Sequence, residues 1–528
     1  MRHRYLYYFL LLTFTTLFRD FTPDNELKYI SIANEALQNN NWFTFHNHGD
    51  IYADKPPLFL WLIMLSKLIT GGYHVWIIGL FSSLPALAIM AVMDRWIKNE
   101  ESNSNTLAAN LIIITTIMFL GAAFIIRMDM LMSLFIVLSL YKFYKIYKNK
   151  HSAYDKYLLV IYLFLAVFTK GLIGLLIPFT SIIAFLSIKK QISTFDHYFG
   201  WRQYMVFFAL CMGWFILIYR EGGMIYLDNM LLKQTIGRGF NSFHHKEPVW
   251  YYLPRMLWSF APWSLLFIVL IWKSIQTKMI NTDLEKFFLT VVATSILLLS
   301  AISAKLDIYL LPIYPFTAYL CSILLMKNLN DIIVKASMAI PAILFILILP
   351  ATLLFNHKIP HFEDYSFVAY PALALQAFGG IMAIRWLYLN RPLKAVAAIS
   401  SGFLGLVFVG SLAIPILNRH IGFGEMVRTA QQTANANKID RYMYYKFNAA
   451  ANMDVYIDRK IVGISTLEAL DSINRLSSQS ILFVRSKEIR NEKEFALWLS
   501  FFKTQWTNGQ YSWYLIGNKS SQDNFANQ

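Results

Sequence analysis

The chain has 528 residues, of which 57% are hydrophobic and only 15% are charged. Soluble globular domains carry charges on about a quarter of their residues, so this composition excludes an ordinary soluble protein and indicates a membrane protein. The formal net charge is +16. Because the cations are scattered between apolar runs, they argue against a nucleic-acid partner and favour membrane lipids with anionic headgroups. Cys211 and Cys321 both lie inside apolar runs, which predicts neither a disulfide framework nor a metal site.

Apolar runs of helix length predict a polytopic α-helical membrane protein with about 13 transmembrane helices. The first run follows Arg2 and Arg4 and ends at Arg19 without a small-residue cleavage motif; we therefore expect an uncleaved anchor rather than a signal peptide. The predicted spans are residues 5–19, 76–94, 106–125, 129–145, 157–169, 172–188, 203–219, 258–272, 286–301, 308–326, 334–354, 367–385 and 394–416.

The distribution of lysine and arginine predicts the orientation. Loops such as "KFYKIYKNKHSAYDK" and "KSIQTKMINTDLEK" are rich in cations, and such loops stay in the cytoplasm. Residues 1–416 therefore form the predicted membrane domain, with a first outer loop at 20–75, and residues 417–528 lie outside the cytoplasm. That tail alternates strand-like runs ("RYMYYKF", "DVYID", "SILFVRS", "YSWYLIG") with helix-like stretches near Ile464–Leu476 and Lys487–Phe502. A small α/β domain is expected there.

Unusual polar residues collect in the outer loops of this predicted topology. Lone cations at helix ends are usually interfacial anchors, and Asp24 alone could be an N-cap. Five clusters on one face are harder to explain in that way. The clusters are Asp24, Glu26, Lys28, His46, His48, Asp54 and Lys55; Arg127 and Asp129; Lys170; Lys233, Arg238, His244 and His245; and Lys305, Asp307 and Tyr309.

Cations near a membrane surface suit a phosphate or pyrophosphate group. A nearby carboxylate can take a proton from an acceptor hydroxyl, as general-base catalysis requires. A sugar carried on a lipid phosphate combines these needs, because its tail is apolar and its leaving group is a phosphate. The clusters therefore predict a transferase acting on such a donor.

Several motifs resemble one family. "DNELKYISIANEAL", followed by "GDIYADKPPLFLWL", is similar to the first periplasmic loop of GT-C glycosyltransferases of the ArnT-like and protein O-mannosyltransferase group. Their pattern there is D-E-x-R-Y, a gap, and Y-x-x-K-P-P. "RMDMLMSLF", "FTKGLIGLLIP", "GRGFNSFHHKEPVWYYLPRMLWSFAPW" and "SAKLDIYLLPIYP" match in the same order. The resemblance covers about residues 1 to 420, and the family's 13-span core with an outer C-terminal domain agrees with the predicted topology.

The resemblance implies an inverting transferase with an aspartate as general base. Alignment on Glu26 puts Asn25 at the family's aspartate, with Asp24 one position earlier. Either Asp24 takes the role through a one-residue shift, or Asp129 and Glu26 share it; an asparagine cannot accept the proton usefully, which favours Asp24. The residues that the resemblance places around the donor are Lys28, Tyr52, Lys55, Lys170, Arg238, Lys305 and Tyr309.

No cofactor is required by these motifs, although Asp54 matches an acidic position that can hold a divalent metal ion in the family. Lys233 replaces the histidine partner of that position, which speaks against a bound metal.

The expected enzyme is a glycosyltransferase of the bacterial inner membrane with its active site facing the periplasm. It would move a sugar from undecaprenyl phosphate or a related polyprenyl phosphate to lipid A or another envelope glycolipid. One alternative is a protein O-glycosyltransferase with serine or threonine acceptors. Another is a lipid or solute transporter, which would place charged or broken helices near mid-membrane and show paired repeats.

Overall fold

The computed structural model describes residues 2–101, 104–231, 247–476 and 479–517. Within this part of the chain, eight helices are long and apolar enough to cross a membrane, or up to ten if each of two bent helix pairs forms one span. The eight are Val75–Glu100, Asp129–Tyr147, Trp201–Leu231, Asp283–Ala301, Asp307–Lys327, Ile332–Lys358, Phe362–Tyr388 and Pro392–Ile421. The prediction of a polytopic helical membrane protein is confirmed.

The bent pairs are Thr106–Ile114 with Ile117–Phe124, at 68°, and Tyr252–Ser259 with Ser264–Gln276, at 116°. At the first bend, the Thr115 hydroxyl donates to the Leu111 carbonyl and the Thr116 hydroxyl to that of Ile112. Such side-chain bonds compete with the helical ladder and favour bending. Helices Arg2–Leu17, Asp155–Lys170 and Ile173–Ile188 are shorter. Every predicted span lies largely within one of these helices or bent pairs, but the number that cross a membrane stays a prediction.

The chain folds into two compact units. The membrane unit is Met1–Leu17, Trp42–Thr44 and Tyr52–Ala413. The second unit is Phe18–Asn41, Phe45–Ile51 and Ile414–Gln528, so most of the sequence around Asp24 belongs with the C-terminal segment.

Within the membrane unit, helices Asp129–Tyr147 and Asp155–Lys170 form an antiparallel hairpin fixed by charge at both ends. At one end Asp155 accepts from Lys142 and from Lys145, the latter at 2.8 Å. At the other end Lys170 forms an ion pair with Asp129. The candidate site is built at this second end.

The second unit contains a five-stranded mixed sheet. Its spatial order is Val462–Ile464, Tyr442–Tyr445, Ser480–Arg485, Tyr511–Ile516 and Thr504–Thr507. The first three strands in this order are parallel to one another, with Met443 opposite Leu482. Strand Tyr511–Ile516 pairs antiparallel with Ser480–Arg485 on one side and with Thr504–Thr507 on the other. The helices of this unit are Glu26–Gln38, Ile414–Ile421, Gly424–Asn437, Asp454–Ile457, Leu467–Leu476, Ser486–Asn491 and Lys493–Ser500. A two-residue hairpin pairs His46–Asn47 with Asp50–Ile51.

Three of the four strand-like runs in the C-terminal segment form strands. The prediction for "DVYID" is wrong, because Asp454–Ile457 is a helical turn that ends at Asp458 in a left-handed conformation. The Asp454 carboxylate there accepts from the Ser31 hydroxyl at 3.0 Å. Tertiary interactions of this kind override a strand propensity spread over so few residues.

Candidate active site

A buried ion-pair cluster lies where two helix ends meet in the membrane unit. Asp129 is the first residue of its helix and Lys170 the last of the neighbouring one. The Lys170 ammonium donates to Asp129 Oδ1, and Arg127 Nε donates to Oδ2 at 3.1 Å. The Asp129 side chain is 1% exposed and that of Lys170 is 6% exposed. Two cations therefore hold Asp129 as a carboxylate, and Asp129 in turn fixes the Lys170 ammonium.

A cavity of about 330 Å³ opens beside Lys170. Asp54, Lys55 and Tyr309 also line it, and the Lys170 ammonium lies 4.4 Å from the centre of the Tyr309 ring. The remaining walls are mostly apolar and include Val167, Leu172, Ile173, Trp214, Phe215, Leu299 and Ile302. Two lysines and one aspartate among mostly apolar walls provide charged groups together with a surface for a hydrocarbon chain.

The other donor-binding candidates have different positions. The Tyr52 carbonyl accepts from the Tyr226 hydroxyl at 3.0 Å. Tyr52 comes directly before residues 53–56, which line the cavity. Lys305 is 3% exposed and its ammonium donates to the Glu247 carbonyl at 2.9 Å. Arg238, together with Lys233, His244 and His245, lies outside the described residues.

Sequence reasoning did not single out Glu221. Its carboxylate accepts from the backbone N–H groups of Trp42, Phe43 and Thr44, at distances from 2.8 to 3.2 Å. It thereby anchors the chain segment 42–44 to helix Trp201–Asp228. A single carboxylate near the end of a long apolar run was the only signal that could have pointed to it.

The second unit holds the remaining catalytic candidates. Glu26 is fully buried; it accepts from Arg19 through both carboxylate oxygens, at 2.6 and 2.7 Å, and from the Thr22 N–H at 2.8 Å. Asp24 is exposed in the turn before helix Glu26–Gln38, and Lys28 is half-buried. The N-cap position belongs to Asn25, whose side chain makes no capping bond. The interpretation of Asp24 as an N-cap is therefore wrong.

In the part of the chain that the structure describes, no three histidine, cysteine, aspartate or glutamate side chains come together to bind a metal ion. The group nearest in sequence to Asp54 is the ammonium of Lys55, a cation. The described residues around Asp54 therefore do not fit a divalent metal ion.

The ion pair of Asp129 and Lys170 gives a first prediction. Asp129→Asn should lower the free energy of unfolding by about 3–5 kcal/mol, because it leaves a buried ammonium without its carboxylate. The double variant Asp129→Asn with Lys170→Met should lose clearly less than the sum of the single variants. Thermal unfolding of the protein purified in detergent measures both quantities. Additive losses would contradict a direct pairing.

The family model described as dolichyl-phosphate-mannose-protein mannosyltransferase matches residues 54–217. A protein of Aquifex aeolicus is 24% identical over 377 residues, which is 66% of this chain and 72% of that protein. The undecaprenyl phosphate-alpha-4-amino-4-deoxy-L-arabinose arabinosyl transferase of Yersinia pestis is 25% identical over 297 residues, 55% of this chain and 52% of the relative. The chain thus matches about half the length of that transferase.

Solved structures show the same fold over 97% of the chain. ArnT from Cupriavidus metallidurans bound to undecaprenyl phosphate superposes with a TM-score of 0.75 at 15% identity, and its apo state with 0.76 at 16%. Each comparison covers 97% of both chains. The fold is therefore that of a polytopic helical membrane protein of the GT-C type. In fold and in sequence the chain is similar to the ArnT-like and protein O-mannosyltransferase group, which confirms the predicted resemblance and the enzyme class that it implied, glycosyltransferase.

Proposed function

We propose that this chain transfers a sugar from a polyprenyl phosphate, with undecaprenyl phosphate as the lipid, to an envelope glycolipid of the lipid A type. The observation that carries the proposal is the cavity beside Lys170, where two lysines meet apolar walls. A lipid phosphate needs both features at one place. The name of the Yersinia pestis relative includes undecaprenyl phosphate, and one Cupriavidus metallidurans structure contains it.

In the proposed reaction, Lys55 and Lys170 neutralise the phosphate of the donor. The Tyr309 ring, already in contact with the Lys170 ammonium, limits how that ammonium can move. The acceptor hydroxyl loses its proton to an aspartate, and its oxygen forms a bond to the anomeric carbon of the sugar. The bond from that carbon to the phosphate oxygen breaks, and polyprenyl phosphate leaves with the electron pair. Attack opposite the leaving group inverts the anomeric configuration.

Asp24 is our choice for the proton acceptor. Glu26 is buried and receives three hydrogen bonds, two of them from Arg19. Asp129 is buried between two cations, which stabilise its charged form and weaken it as a base. Asp24 is exposed to solvent, so a substrate hydroxyl can reach it. We assign Asp129 to positioning Lys170 and Glu26 to shaping the turn that carries Asp24.

We further propose 13 membrane spans, with the ion-pair cluster on the periplasmic side and residues 417–528 as a periplasmic domain. Helix Asp129–Tyr147 supports this orientation. It begins at the buried Asp129, and Lys142, Lys145 and Lys148 lie toward its other end. Cations concentrated at one end favour the cytoplasm for that end. The paired charges of Asp129 and Lys170 beside the cavity lie at helix ends rather than within a span, which favours a transferase over a transporter.

Replacing the proposed base tests the mechanism. Asp24→Asn should reduce transfer from a radiolabelled polyprenyl-phosphate sugar by about a hundredfold or more, because general-base catalysis contributes about 10² to 10⁴ in rate. Donor binding should stay within about twofold. Asp50→Asn is the matched control, because Asp50 is an exposed carboxylate of the same loop, and it should keep the full rate. Full turnover by Asp24→Asn would remove Asp24 from the mechanism.

Lys55 tests the donor site. Lys55→Met should weaken donor binding about tenfold or more, since a hydrogen bond to a charged group contributes about 1.5–3 kcal/mol. Lys67→Met is the control, because Lys67 lies on the following helix Leu58–Thr70 and is not among the described residues that line the cavity. Binding of the donor to purified protein measures the effect. Equal losses in both variants would contradict a specific role for Lys55.

The acceptor has one alternative, a serine or threonine hydroxyl of a secreted protein. The family model that matches residues 54–217 carries the name of a protein mannosyltransferase, which gives this alternative its support. Label from the donor should appear in the lipid fraction of envelope extracts incubated with the purified chain. Label confined to the protein fraction would replace the glycolipid by a protein acceptor.

A further inference from the structure

The C-terminal segment grips the loop that carries Asp24 through one carboxylate, that of Asp20. Both lie in the second compact unit. Asp20 Oδ1 accepts from the Tyr456 hydroxyl at 2.6 Å, and Oδ2 accepts from the Gly424 N–H at 2.7 Å. Oδ1 also accepts from the N–H of Phe21 at 2.8 Å. The carboxylate thus ties the start of the loop to two separate places in the C-terminal segment.

The backbone at Gly422 and Gly424 lies close against the Asp20 carboxylate. A Cβ atom on Gly424 would lie 2.6 Å from Asp20 Oδ2, and one on Gly422 would overlap the same oxygen. Real Cβ atoms do not approach an oxygen so closely, so a side chain at either position would force the Asp20 carboxylate to shift. The backbone of residues 422–424 is therefore shaped around this side chain.

Further contacts join the C-terminal segment to residues 18–21 of the loop. The Asn418 side chain donates to the Phe18 carbonyl at 2.5 Å and accepts from the Asp20 N–H at 2.9 Å. The Phe21 and Tyr456 rings pack with their centres 6.4 Å apart. Burial and the Asp20 carboxylate raise the pKa of Tyr456 well above its ordinary value, so its hydroxyl stays a donor at any physiological pH.

The loop itself is stiffened from Asp20 to the helix that follows. The two oxygens of Glu26 bind the Arg19 guanidinium, and the Thr22 N–H donates to Glu26. Asp24 lies in the turn closed by these contacts, and helix Glu26–Gln38 begins two residues later. Motion of Asp20 would therefore be passed on to Asp24 through a short, braced segment.

We infer that the C-terminal segment positions the catalytic loop, with Asp20 as a positioning residue held by Tyr456, Gly424 and Asn418. This rests on the proposed function only in assigning the proton transfer to Asp24. A displacement of about 1 Å at a reacting group can cost about a hundredfold in rate, so a loosened loop would slow the reaction measurably. The C-terminal segment would thus contribute to turnover without touching the donor.

The experiment joins hydrogen exchange to kinetics, on the full chain in detergent. The first variant is Tyr456→Phe, which removes one donor to Asp20 and keeps the ring that packs on Phe21. The second is Gly424→Ala, which places a methyl group against the carboxylate. Asp440→Asn is the control, because Asp440 is an exposed carboxylate of the same unit, paired with Arg459. A third variant, Asp20→Asn, replaces one carboxylate oxygen by an amide NH2 group, which cannot accept from the Tyr456 hydroxyl or the Gly424 N–H.

We expect faster amide exchange in residues 18–26 of each test variant, with unchanged exchange in strands Tyr442–Tyr445, Ser480–Arg485 and Tyr511–Ile516. The turnover number should fall about tenfold or more while donor binding stays within about twofold. Asp440→Asn should match the wild type in all three measurements. If Asp20→Asn also speeds amide exchange in the strands, the result from Tyr456→Phe is the one that tests the inference, because this variant keeps the Asp20 carboxylate.

Two results would overturn the inference: unchanged exchange in residues 18–26, or faster exchange there with an unchanged turnover number. A failure of the proposed function is visible separately. If the wild type transfers no sugar, or if Asp24→Asn keeps the full rate, the assignment of the base fails. The exchange data still show in that case whether Asp20 holds the loop.

Discussion

A single buried carboxylate, that of Asp129, determines the arrangement of the candidate donor site. Burying it alone would be costly, and it is tolerated because Lys170 and Arg127 supply two cations. The same pairing fixes the ammonium of Lys170 at the mouth of an apolar cavity instead of leaving it free to extend into solvent. The same placement brings the Lys170 ammonium into contact with the Tyr309 ring. In the proposed reaction, this held ammonium is what binds the phosphate of the donor.

The proposed donor-binding residues and the proposed base come from different parts of the sequence. The cavity is lined by side chains from residues 53–56, the end of helix Asp155–Lys170 and the region near Tyr309, all in the membrane unit. The candidate base lies in the other unit, on a loop that the C-terminal segment holds through Asp20. This arrangement would give the C-terminal segment a role that needs no ligand of its own.

Much of the fold was predictable because hydrophobic length is a local property. Thirteen apolar runs located the apolar helices of the membrane unit except Leu58–Thr70, and short strand-like runs located strands such as Ser480–Arg485. Tertiary partners were not predictable. Nothing in the sequence near Asp454 indicates that Ser31 will donate to it, and this contact accompanies a helical turn where a strand was expected. Predicted topology was enough to group Lys170 with Tyr309 on one side of the membrane. The burial of Glu26 and the contacts of Glu221 depend on tertiary partners and could not be foreseen.

The start of helix Glu26–Gln38 bears on the choice between Asp24 and Asn25. Asn25 is the residue at which the backbone enters that helix, and Arg19 binds the carboxylate of the next residue, Glu26. Position 25 thus lies at the helix start, while position 24 belongs to the turn within the segment that begins at Asp20. An aspartate at position 24 instead of 25 would then depend for its position on the contacts of Asp20 with the C-terminal segment rather than on the start of the helix. In a chain where asparagine occupies position 25, a firmly held Asp20 is what would keep an aspartate at position 24 in a working geometry.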